Sequence, residues 1–116
     1  MADYDENVYH HPEKHGLTVV GEVDTAGGYE FNMLVVWVRD EDSAMFWSTD
    51  SGCSCPSPFE DVEGVDGLTP VTDVSQFSSE ARKWFRDQSY VYGDGRDALE
   101  RLIRKVQRRA RKAATA

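Results

Sequence analysis

Residues 31–38 read Phe-Asn-Met-Leu-Val-Val-Trp-Val. In an extended chain successive side chains point to opposite faces. Phe31, Met33, Val35 and Trp37 then share one face, and Leu34, Val36 and Val38 share the other. Asn32 is the only polar member. A strand that is apolar on both faces needs a cover on each side. Residues 29–39 are therefore predicted as a central strand with something packed above and below it.

The flanking sequence supplies its neighbours. Leu17, Val19, Gly21 and Val23 alternate with Thr18, Val20, Glu22 and Asp24, the pattern of a half-buried strand. Thr25-Ala26-Gly27-Gly28 reads as a hairpin loop. Asp40-Glu41-Asp42-Ser43 reads as the next turn, and Ala44 to Thr49 as a third strand carrying Met45, Phe46 and Trp47. Sequential strands joined by short loops predict an antiparallel meander. Residues 1–16 are mostly polar and are expected to form an N-terminal segment, with Tyr4, Val8 and Tyr9 as anchors. Pro12-Glu13-Lys14-His15-Gly16 has proline and glycine where one helical turn would start and stop.

The C-terminal part changes period. Phe77, Ala81, Trp84 and Phe85 form one apolar stripe at helical spacing. Asp73 and Ser75 can cap a short first turn, and Ser78 or Ser79 the helix proper. Asp94 with Asp97 can cap a second helix. That helix carries Ala98, Leu99, Leu102, Ile103, Val106 and Ala110 on one face, and Arg101, Arg104, Lys105, Arg108, Arg109, Arg111 and Lys112 on the other. The expected architecture is α+β: a three-stranded antiparallel meander followed by two C-terminal helices, one domain over residues 17–116.

Between sheet and helices lies Asp50-Ser51-Gly52-Cys53-Ser54-Cys55-Pro56-Ser57-Pro58-Phe59-Glu60-Asp61, with both cysteines and two of the four prolines. Two prolines remove two backbone donors, so this segment cannot continue a central strand. A stiff, extended loop is expected, suited to a structural connector or to a binding surface. Asp50, Ser51, Cys53, Cys55, Phe59, Glu60 and Asp61 are its candidate contact residues. Cys53 and Cys55 could join His10, His11 or His15 around zinc, but Cys-x-Cys is tighter than the usual ligand spacing. Asp50, Glu60 and Asp61 also disfavour the thiolate that thiol exchange needs. The thiols are therefore expected to be reduced and metal-free. Ser51, Ser54 and Ser57 have no base beside them, so no enzymatic centre and no cofactor is expected.

Charge is unevenly distributed. Residues 1–80 hold Lys14 and Arg39 against 17 acidic side chains, whereas residues 81–116 hold 11 basic side chains against four acidic ones. The basic half can fold back on the acidic half or meet an external polyanion. With a net charge of −8 the whole molecule opposes long-range approach of nucleic acid. The basic helix also lacks the interleaved aromatics that stack on single strands. A protein partner is thus favoured, nucleic acid comes second, and a metal or thiol site at the Cys-Ser-Cys loop third. Arg101, Arg104, Lys105 and Arg108 are the candidate contacts on the helix. A homodimer is compatible with the same surfaces. No apolar run approaches the roughly 18–20 residues of a membrane span. The acidic start, Met-Ala-Asp-Tyr-Asp-Glu, is unlike a signal peptide.

The twelve residues from Asp50 to Asp61, preceded by Leu34-Val35-Val36-Trp37 and Phe46-Trp47, resemble a family of small uncharacterised proteins of actinobacterial tailed phages. That family carries no assigned activity. The resemblance implies an accessory protein in the cytoplasm of an infected host cell, acting on a host or phage protein, and no chemistry.

Overall fold

The computed structural model describes residues 8–9, 11–25, 30–53, 65–87 and 95–115, with the side chains of 30, 31, 53 and 112–115 outside that description. Four strands, β1 (Leu17–Asp24), β2 (Glu30–Arg39), β3 (Met45–Cys53) and β4 (Thr69–Pro70), are followed by two helices, α1 (Val74–Arg86) and α2 (Gly95–Thr115). The strands form one antiparallel sheet in the order β1-β2-β3-β4. The expected three-strand meander is therefore extended by a fourth strand. β4 is two residues long and pairs with Phe46 and Trp47 of β3. So short an element leaves no alternation to read, and Pro70 argues against a strand except at an edge, which is where it sits.

Both faces of β2 are buried, as its sequence demands. Leu34, Val35, Val36 and Trp37 are each 0% exposed. Phe31, expected beside them, has a side chain outside the described residues. On one face Leu34, Val36 and Val38 meet Val20, Val23 and Met45 under Phe77 and Ala81 of α1 and Leu99, Leu102, Ile103 and Val106 of α2. Half-buried Trp47 meets Phe77 edge-on at 5.5 Å, the favoured geometry for two ring quadrupoles. On the other face Met33, Val35 and Trp37 pack with Val8, Leu17, Phe46 and Leu68. No α-helix covers this second face among the described residues. Its cover is the N-terminal segment and the chain before β4.

β1 departs from the strict alternation expected of it. Val19 stands opposite Trp37 and Gly21 opposite Val36, so Val20 is an extra residue, a β-bulge. Before the bulge Leu17 and Val19 point to the Trp37 face, and after it Gly21 and Val23 point to the helices. Gly21 leaves room for the end of the Leu102 side chain of α2. A Cβ there would lie 2.8 Å from Leu102 Cδ1. Glycine inside a strand pattern is the sequence mark of such an approach.

The third strand runs beyond Thr49, its expected end. Asp50, Ser51, Gly52 and Cys53 pair with Met33, Asn32, Phe31 and Glu30. The expected loop therefore begins inside β3, which runs to Cys53. The first helix also differs from expectation. Asp73, in extended geometry, accepts a hydrogen bond from Ser75 N–H at 2.9 Å and caps all of α1. Ser78 is a residue of the first turns, its hydroxyl donating to the Val74 carbonyl at 2.9 Å.

The N-terminal segment is tied down at two points. Trp37 Nε1–H donates to the Val8 carbonyl at 3.0 Å, and the Tyr9 hydroxyl donates to Glu22 Oε2 at 2.8 Å. Burial, then the hydrogen bond and charge of Glu22, push the Tyr9 pKa up from 10.0 to about 12. A raised folded pKa favours the neutral phenol in the fold. The contact thus contributes fully below the ordinary tyrosine pKa and is lost as pH rises from about 10 to about 12. In an ultraviolet titration, the difference between the parent and Tyr9→Phe is expected to show a phenol ionising near 12. A difference curve centred on the ordinary value would contradict this contact.

Candidate binding surface

α2 is organised by its two faces. Leu99, Leu102, Ile103 and Val106 are buried against β1 and the sheet core. Ridge spacing of three and four residues turns the remaining positions outward. Arg101, Arg104, Lys105 and Arg108 are all exposed, as are Arg109 and Arg111. The four candidate residues from the sequence thus lie on one helix face, at spacings that make them surface neighbours.

Neutralisation by the acidic half of the chain is limited. Within the described residues, α2 offers Glu100 to Arg82 of α1, with Arg82 Nη2 2.9 Å from Glu100 Oε1 and Nε donating to Oε2 at 3.1 Å. These bonds hold the Glu100 carboxyl below its ordinary range, and the nearby Arg104 and Arg96 charges act in the same direction. Arg104, Lys105, Arg108 and Arg109 form no ion pair with a described residue within 4.0 Å. Two hollows lie along them. A cleft of about 390 Å³ is lined by Val20 of β1 with Lys105, Arg108 and Arg109. A second, of about 330 Å³, lies between Arg104, Gln107, Arg108 and Arg111. Arg109 was readable as basic from the sequence, but its place beside β1 was not.

The loop candidates fall elsewhere. Asp50 is half-buried on β3 opposite Met33, which points into the core on the side away from the helices. Its Oδ1 accepts from Ser51 N–H at 2.9 Å, and Ser51 is exposed. Cys53 closes the strand opposite Glu30, with its side chain outside the described residues. Cys55, Phe59, Glu60, Asp61 and His10 also lie outside them, and so does the expected cap Asp94. Among the described loop candidates, Asp50 thus stands on the face of the sheet away from α2.

His11 Nδ1 lies 2.9 Å from Glu13 Oε1 at the start of the 3₁₀ turn Pro12–His15. Among the described residues no group of three or more His, Cys, Asp or Glu side chains could hold a metal ion. No helix formed by the described residues is long and apolar enough to cross a membrane.

A family model described as "Domain of unknown function (DUF7574)" matches residues 6–109. No curated protein and no solved structure matches the chain.

Proposed function

We propose that this chain, a member of the DUF7574 family, is a non-enzymatic binding protein that engages an acidic protein surface through the outer face of α2. The observation that carries the reading is the division of that helix. Its apolar face is fully used by the fold, and Arg104, Lys105 and Arg108 face solvent without an internal counter-ion among the described residues. Apart from the pull of Arg104 on the Glu100 carboxylate, these cations have no close internal partner among the described residues. Concentrated on one face, they create a field that steers a partner of opposite sign. The resemblance to phage accessory proteins extends the proposal to an infected host cell, with a cytoplasmic host or phage protein as the partner.

Nucleic acid is the second reading, favoured by the density of arginine on α2 alone. The two readings differ in salt response. Several phosphate contacts make log affinity fall steeply and linearly with log salt. A protein interface loses mainly on-rate. Reversing Arg104, Lys105 and Arg108 together to Glu tests both. The parent is expected to retain a specific acidic protein that the reversed variant releases, with no retention of duplex DNA by either at physiological salt. Micromolar DNA binding by the parent that disappears in the variant would replace the protein reading with the nucleic-acid one.

A further inference from the structure

We infer that the partner is an acidic segment that adds as an extended strand to the outer edge of β1, beneath the basic end of α2. This deepens the protein-binding reading and rests on it. β1 is the first strand of the sheet, and no described residue pairs with its outer edge. The hydrogen bonds at its two ends fix which backbone groups face outward. Asp40 N–H donates to the Gly16 carbonyl and Thr25 N–H to the Asn32 carbonyl, both at 2.9 Å. Alternation from those ends turns the N–H and C=O groups of Leu17, Val19 and Glu22 away from β2. An edge of this kind is a template for another chain.

Charge defines that chain. The cleft at the bulge carries Lys105, Arg108 and Arg109 above Val20, on the helix side of the sheet. On the opposite side of the same edge stands Glu22, exposed, with its Oε2 accepting from Tyr9. An added strand places alternate side chains on the two sides. Acidic residues on the helix side meet three cations, and acidic residues on the other side meet Glu22. The fitting segment therefore alternates acidic and uncharged residues, and a slip of one residue is penalised.

A second copy of this chain is the wrong occupant. Antiparallel pairing of two β1 edges about a two-fold axis would set both α2 helices on the same side of a continuous sheet. Their Lys105, Arg108 and Arg109 clusters would then face each other, and like charges in apposition repel. A nucleic acid would use the cations and leave the outward amides without a matching ladder.

The test uses the intact protein and three labelled decapeptides, read by fluorescence anisotropy at physiological salt. The first alternates Glu and Thr. The second has the same composition with the glutamates in one block. The third repeats the first with the alternate backbone amides that would face β1 N-methylated. The alternating peptide is expected to bind, and blocking its amides is expected to weaken it by more than about tenfold, the consequence of losing several backbone hydrogen bonds. The block isomer is expected to be weaker than the alternating one. Lys105→Glu with Arg109→Glu, confirmed folded by its melting curve, is expected to abolish binding. Equal binding of all three peptides would overturn the strand addition and leave the basic face as a diffuse acidic-protein site. No binding by any peptide at millimolar concentration, or displacement by duplex DNA at physiological salt, would overturn it as well. So would a dimer, seen by sedimentation, that Lys105→Glu with Arg109→Glu strengthens.

Discussion

Trp37→Ala is expected to be the most destabilising single substitution in this chain, costing about 3–5 kcal/mol, the range for truncating a large buried aromatic. Trp37 is 0% exposed, and it has two roles that alanine loses together. Its ring fills the second core between Val35, Phe46 and Leu68. Its indole N–H holds the Val8 carbonyl, fixing the segment that closes that core in place of a helix. Removing the donor leaves a buried acceptor unsatisfied, at about 1–3 kcal/mol. Trp37→Phe separates the contributions, keeping most of the apolar volume while deleting the donor. It is expected to fall between the parent and Trp37→Ala in urea unfolding. Both variants should also show faster amide exchange around Val8. A Trp37→Ala protein within about 1 kcal/mol of the parent, well below the range for such truncations, would refute the placement.

That Trp37 is central could be read directly, because a strand apolar on both faces leaves few alternatives. What covers each face was less evident. The helices announce themselves by period, with Phe77 and Ala81 on one and Leu99, Leu102, Ile103 and Val106 on the other. The opposite cover is Val8, Leu68 and a two-residue strand at Thr69–Pro70. Val8 was expected as an anchor and is one, but isolated apolar residues in polar surroundings carry no period, so nothing local says which face they cover. The same limit explains β1. A bulge adds one residue and reverses the facing of all that follow. The only local mark of it was Gly21. The stretch from Asp50 was read as a stiff loop because of its two prolines, yet Asp50 to Cys53 pair with β2 and belong to β3. In each case long-range packing decided between two locally acceptable conformations.

The candidate surface divides similarly. The basic side chains were legible because charge on a helix face is a local property. Their relation to β1 was not, because it depends on where α2 crosses the sheet, a matter of long-range packing through Leu99, Leu102, Ile103 and Val106. The stretch from Asp50 was read as loop, but its first four residues continue β3, with Asp50 on the side away from the helices.

Ile103→Ala is expected to cost about 2–5 kcal/mol, while reversing Arg104, Lys105 and Arg108 on the same helix should change stability little in comparison. Ile103 is 1% exposed between Leu99 and Val106, so truncation leaves a cavity in the core that β1 and both helices share. How far the neighbours can collapse sets where the loss falls in that range. The three cations sit one, two and five residues further along, with their charges in water and no ion pair to break among the described residues. Surface charges removed from such positions usually shift stability by about 0.5 kcal/mol or less. The pair of variants thus separates two properties carried by one helix. Ile103→Ala should unfold at lower urea and still bind its partner under conditions where it is folded. The charge-reversed protein should unfold close to the parent and fail to bind. If the charge reversal instead lowers stability as much as Ile103→Ala, the basic face is part of the folded interior electrostatics, and the binding role assigned to it fails. If Ile103→Ala leaves stability unchanged, α2 is not packed on the sheet, and the outward orientation of its cations has no basis.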